Sequence, residues 1–208
     1  MGASPIRYLW LGASALTLML GAWSARDEMR VAAVAGVDGT DPAARDALLA
    51  EASDWPQDAI PPRAALGLAS LWLHQAAQAP SPRTALAARE EARDLLQVAA
   101  RGRPQAAATL ILASQLALPR SGAPTPAALR AFAASYAAAP FLTAEGFWRA
   151  AFAARYWSSL PRGTQDAAVE EAVWLAGLDG RFHDRLIDIM GGSPMSVRFA
   201  LRLDTPRH

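Results

Sequence analysis

An uncharged run of 18 residues, YLWLGASALTLMLGAWSA at 8–25, is closed by Arg7 on one side and by Arg26, Asp27 and Glu28 on the other. So long an apolar segment has to leave water, and the choices are a protein core or lipid. As a helix rising about 1.5 Å per residue it extends roughly 27 Å, just under the ~30 Å hydrocarbon core of a bilayer. Tyr8, Trp10 and Trp23 stand near its ends, where amphipathic aromatics settle at headgroup level. The run therefore predicts a single transmembrane helix over 8–25. Arg7 and the free amine place residues 1–7 in the cytoplasm by the positive-inside rule, which leaves the bulk of the chain in the periplasm, attached to the inner membrane. A secretory signal cut after Ser24, with Ala22 and Ser24 as its small residues, has the same layout, but its apolar core is usually only about 7–15 residues. Ala13, Thr17 and Gly21 share small-xxx-small spacing that would let a second membrane helix approach closely; in a chain this rich in small residues, chance gives the same spacing.

Beyond the run the chain is balanced. It has no cysteine and no lysine, so all 20 basic residues are arginine, and setting Arg7 aside leaves 19 arginines against 19 carboxylates. Disulfides and thiolate chemistry are excluded, which is compatible with an oxidising compartment. A neutral exported part offers no concentrated positive field for phosphate backbones, so nucleic acid is not an expected partner.

Helix starts recur as a small polar residue followed by proline: Asp41-Pro42, Ser81-Pro82, Thr125-Pro126 and Ser193-Pro194. The side-chain oxygen accepts from an orphan N–H of the first turn, and proline at the first helical position lacks only an N–H that had no partner. Pro62, Pro104, Thr143 and Thr164 supply further starts; Gly102, Pro119, Pro140, Pro161 and Gly191-Gly192 supply stops. Between these marks apolar residues recur at i, i+3 and i+4, and no segment alternates with a period of two.

The predicted fold is all-α. The N-terminal transmembrane helix is followed by a juxtamembrane linker at 26–40, a helical-hairpin domain at 41–203 and a tail at 204–208. Within that domain a helix at 42–53 precedes the pairs 62–79 with 82–101, 104–118 with 126–138, 144–159 with 165–178, and 181–190 with 194–203. The first helices of successive pairs begin about 40 residues apart, the period of stacked hairpins, in either a short tetratricopeptide-like solenoid or an irregular bundle.

No constellation specifies a catalytic, cofactor or metal site. His74, His183 and His208 are far apart, and His74, beside Trp72, reads as a core-edge residue. His183 stands near Asp179, Asp184 and Asp188, a set able to bind a metal, yet Asp184 and Asp188 interleave with Arg181 and Arg185 as on a solvated, salt-paired face. Asp166, Glu170 and Glu171 open the predicted helix 165–178, where the macrodipole alone favours acids over a catalytic carboxylate pair. The richest segment is FWRAAFAARYWSSL at 147–160. Trp148, Phe152 and Tyr156 fall at i, i+4 and i+8 among Arg149 and Arg155, with Trp157 following; these six residues form a candidate groove for a glycan or a partner peptide, or else the aromatics are core and the arginines snorkel outward.

Ala92, Leu96, Ala99 and Pro104 match the second-helix half of a tetratricopeptide repeat, although the first half would have to pass through Pro80 and Pro82. More broadly, ARDLLQVAARGRPQAAATLILASQLAL at 92–118, ALRAFAASYAAAPF at 128–141 and GFWRAAFAARYWSSLP at 146–161, behind a short N-terminal membrane run, resemble the small membrane-anchored, tetratricopeptide-like accessory proteins of bacterial exopolysaccharide clusters, the VpsP type. The resemblance implies a non-enzymatic role in making or exporting surface polysaccharide by holding envelope proteins together. Composed as it is, the chain also suits a small single-span subunit of a larger membrane complex.

Overall fold

The computed structural model describes residues 5–37, 40–119 and 122–204, with the side chains of 5–9, 11 and 12 left aside. Residues 1–4, 38–39, 120–121 and 205–208, and with them most of the expected tail and His208, lie outside the described residues. The described chain is all-helical. Its helices are α1 (Pro5–Ala35), α2 (Pro42–Ser53), α3 (Pro62–Gln78), α4 (Pro82–Gly102), α5 (Ala107–Ala117), α6 (Pro126–Ala138), α7 (Thr143–Arg155), α8 (Arg162–Ala176), α9 (Gly180–Met190) and α10 (Pro194–Leu203), with 3-10 turns at Gln57–Ala59 and Trp157–Ser159.

The polar-proline starts are helix caps. Asp41 Oδ1 accepts from Ala43 and Ala44 N–H at 3.0 and 3.2 Å, Ser81 Oγ from Thr84 N–H at 3.2 Å, Thr125 Oγ1 from Ala128 N–H at 3.1 Å, and Ser193 Oγ from Met195 N–H at 3.2 Å. Two of them also bridge elements: Thr125 Oγ1 donates to Ala117 O at the end of α5, and Ser193 Oγ donates to Ala154 O in α7. Two expected starts shift. Residues around Pro104 form a turn closed by Ala106 N–H on Arg103 O, so that α5 begins at Ala107. Pro161 opens α8 at once, which places Thr164 inside the helix and Glu170 and Glu171 in its middle, away from any first-turn effect.

The chain divides after Gly102 into two compact units, so the expected single domain over 41–203 is instead shared between them. Unit 1 is built on the α3–α4 hairpin. Ala64, Ala65, Ala69, Ala85, Ala88, Ala92 and Ala99 are buried, and their small side chains let the two helices approach closely. Leu48, Leu49 and Ala52 of α2, Ile60, and Leu68 and Leu71 of α3 complete the core, joined by Val34 of α1.

That last residue corrects the sequence expectation most. Residues 26–35 are no linker; they continue α1 as one helix of 31 residues whose final turns dock on unit 1. Upstream of the docked turns, Trp10, Leu16, Leu18, Met19, Leu20 and Trp23 are exposed. Among the described residues no helix is long and apolar enough to cross a membrane. The expected span over 8–25 falls partly outside the described side chains, which include neither Tyr8, Leu9, Leu11 nor Gly12.

Unit 2 packs α5 on α6, α7 on α8, and both α9 and α10 onto that second pair. Its core runs through Phe132, Phe147, Phe152, Trp157, Val169, Val173, Leu175, Leu186, Met190, Met195 and Phe199. The fourth expected hairpin, 181–190 with 194–203, is therefore not self-contained. Leu186 and Met190 of α9 and Met195 and Phe199 of α10 all spend their apolar surface on the α7–α8 core, after a turn at Gly192 whose φ of +75° suits glycine.

Candidate functional site

The six candidate residues of the 147–160 segment do not share one groove: Arg149, Phe152 and Tyr156 are buried, while Arg155 and Trp157 line a cleft. α7 ends at Arg155, and Tyr156 leaves helical geometry with φ −113° and ψ 26°, which breaks the i, i+4, i+8 row. Phe152 is buried and stacks on Phe132 of α6 at 4.1 Å between ring centroids, Trp148 lies 5.3 Å from Phe152, and Tyr156 lies 4.9 Å from it. Phe152, Tyr156 and Trp157 are core residues, and Trp148 is half-buried at the margin of the same cluster. Only Arg155 holds its charge in solvent, 5.3 Å over the Tyr156 ring.

Arg149 neither lines a groove nor snorkels outward; it is 0 % exposed. Two buried charges cost several kcal/mol each unless their hydrogen bonding is saturated. Here it is. The guanidinium has five N–H donors and each has an acceptor: Nε donates to Glu171 Oε2 at 2.9 Å, Nη1 to Ser135 O and Ala139 O at 3.2 and 3.0 Å, and Nη2 to Pro140 O at 3.3 Å and to Glu171 Oε1. Glu171 is equally engaged, since Oε1 also accepts from Leu142 N–H at 2.9 Å and Oε2 from the Tyr136 hydroxyl at 3.1 Å. Ser135 O, which also accepts from Ala139 N–H, and the Ala139 and Pro140 carbonyls just past the last turn lie at the C-terminal end of α6, where a cation complements the helix dipole. From the middle of α7, Arg149 thus ties the end of α6 to α8, and Glu171 holds the start of α7 through Leu142 N–H.

Tyr136 completes the cluster, its ring centroid 4.0 Å from Arg149 Cζ. Burial pushes its hydroxyl well above the usual tyrosine range, and the Glu171 carboxylate adds to that against the opposing pull of Arg149. Chemically this is a staple. Every lone pair of the Glu171 carboxylate is occupied, which leaves it no open position from which to accept a proton from a substrate.

The other candidates are surface features. Glu170 pairs with Arg202 Nε at 2.7 Å and Asp166 with Arg198 at 3.1 Å, stitching α8 to α10. Arg181 turns back to Asp179, the N-cap of α9, at 2.8 Å, and Arg185 lies 4.2 Å over the Phe147 ring; neither joins the expected ladder with Asp184 and Asp188, because a cap and an aromatic face lie nearer. Through that contact the Asp179 carboxyl is held below its usual range by hydrogen bonds from Arg181. His183 contacts Asp184 at 3.3 Å, and among the described residues no three side chains are grouped to hold a metal ion. His74 is half-buried, with its ring nitrogen 3.0 Å from Gln78, whose carbonyl accepts from buried Arg45 at 2.8 Å.

Besides a shallow cleft of about 520 Å³ along the α8–α10 seam, lined by Asp166, Val169, Glu170, Arg198 and Arg202, two surfaces are open to a partner. One is a cleft of about 420 Å³ between the end of α7 and the α9–α10 turn, with Arg155, Trp157 and Ser158 facing Gly191, Gly192 and Pro194. The other is the upstream half of α1. Ala13, Thr17 and Gly21 do share one exposed face there; Thr17 Oγ1 donates to Ala13 O at 2.9 Å, and Gly21 has nothing within 4 Å of where a Cβ would stand. Among the described residues these features define an all-helical protein in which the buried Arg149–Glu171 cluster holds helices together. No family model, curated protein or solved structure matches the chain.

Proposed function

We propose that this protein is a non-enzymatic, membrane-anchored helical scaffold, its N-terminus in the cytoplasm and its two units in the periplasm, which serves cell-envelope polysaccharide biosynthesis or export. One observation carries the membrane half. The exposed apolar residues Trp10, Leu16, Leu18, Met19, Leu20 and Trp23 fall on every side of α1, at about 100° per residue, and a helix apolar all round is one surrounded by lipid or core; a partner groove would need a single apolar face. The polysaccharide half rests on the resemblance of segments 92–118, 128–141 and 146–161 to the exopolysaccharide accessory proteins. The partner surface on this reading is the Arg155–Trp157 cleft of unit 2.

Crosslinking in intact membranes followed by pull-down tests it. Recovery of polysaccharide-synthesis or export proteins, lost in an Arg155→Glu, Ser158→Arg variant that folds normally, supports the reading. Recovery of none of them sinks its polysaccharide half.

A second reading, a small single-span subunit of a larger membrane complex, is favoured by the open Ala13–Thr17–Gly21 face, on which another helix could pack closely. Replacing 8–25 with an unrelated span separates the two: the scaffold tolerates the exchange, and the subunit does not.

A further inference from the structure

We propose that α1 is a rigid post and not a tether, and that it holds the 55–60 loop of unit 1 against the headgroup layer of the membrane. This rests on the reading of α1 as membrane-inserted and adds the surface of unit 1 that meets lipid. Past Ala25 the helix continues unbroken to Ala35. Arg30, five residues and so about 7.5 Å farther along the axis, is buried against unit 1. Its guanidinium donates to Ala59 O and lies 4.8 Å from the Trp55 ring centroid. One turn later Val34 fills the notch left by Gly67, where a Cβ would stand 2.4 Å from Val34 Cγ1.

The headgroup layer is roughly 5–8 Å deep on each face of a bilayer. The Arg30 turn therefore emerges at its outer edge, and the loop with half-buried Trp55 and exposed Pro56, Gln57 and Asp58 emerges with it. An amphipathic aromatic belongs at that depth. The contacts Arg30–Ala59 and Val34–Gly67 advance together along both segments, so α3 leads away from the membrane. α4 returns, bringing Gly102 beside Pro62, and the exposed Arg83 stands about 28 Å up the hairpin from that end. Asp54 beside the loop and Asp58 within it are matched by exposed Arg63 and Arg101 at the same end of the hairpin, so the balanced charge suits a zwitterionic lipid.

The chain has no cysteine, so single labels report cleanly. The full chain carrying Asp58→Cys or Arg83→Cys, each with a fluorophore, is reconstituted in phosphatidylcholine vesicles containing a lipid with a headgroup nitroxide. The post predicts several-fold stronger quenching at 58 than at 83. In detergent, nitroxides on Ser24→Cys with Glu51→Cys should give one narrow distance distribution, which four glycines inserted after Met29 broaden. Equal quenching at both positions in vesicle-bound protein, or a broad distribution without the insertion, overturns the post and leaves attachment standing. Failure of the full chain to bind vesicles overturns both.

Discussion

Arg149 shows what a single buried residue can organise. Taking away one partner of a saturated buried pair leaves the other charge uncompensated, typically at about 3–5 kcal/mol, whereas replacing both with apolar groups of similar volume costs far less. Glu171→Gln should therefore lower the free energy of urea unfolding by about 3–5 kcal/mol, and Arg149→Met with Glu171→Leu by much less; equal losses would contradict the staple. Tyr136 adds a pH signature. Below its ordinary value of 10.0 both folded and unfolded chains keep the phenolic proton; above it the unfolded chain releases the proton while the folded one retains it, so stability falls as pH rises from there. Urea unfolding between pH 8 and 11 should show that decline, reduced in Tyr136→Phe. None of this was visible as a motif, since 22 residues separate the pair. A signal existed all the same: Arg149 shares the phase of Gly146, Ala150 and Ala153, and Glu171 that of Ala168, Ala172 and Leu175, all core positions. Two opposite charges in core phase on successive helices have good reason to meet. Reading the arginines by their exposed-face habit missed it.

Helices were the most legible level, because capping is local chemistry. Asp41, Ser81, Thr125 and Ser193 each bond to the first turn that follows, and nothing distant needs to be known to place them. Ser193→Ala removes the cap and the link to Ala154 together, and should cost about 1–2 kcal/mol, read by thermal unfolding. Where tertiary packing decides, local signals failed. Arg26, Asp27 and Glu28 after an apolar run read as the start of a linker, yet docking of Val31 and Val34 extends the helix through them. The Gly67 notch makes that docking testable. Gly67→Ala should destabilise by about 1–3 kcal/mol through overpacking and should cost close to nothing in a Val34→Ala background, a coupling read by a double-mutant cycle. Independent effects of the two substitutions would mean that α1 does not seat there.

At the scale of the whole molecule, the period of about 40 residues announced hairpins correctly but overstated their uniformity. α9 and α10 close on α7 and α8, and the chain divides after Gly102 into units with separate cores. A core complete in itself predicts that residues 103–208 alone retain helical circular dichroism and melt cooperatively. In unit 1 the upstream half of α1 exposes apolar side chains on every side, while its last turns are clamped to the core. Vesicle flotation measures its consequence: the full chain should rise with phosphatidylcholine vesicles while residues 26–208, which keep the docked turns, stay at the bottom of the gradient. A full chain that stays down, or a truncated one that floats, would contradict membrane anchoring by α1.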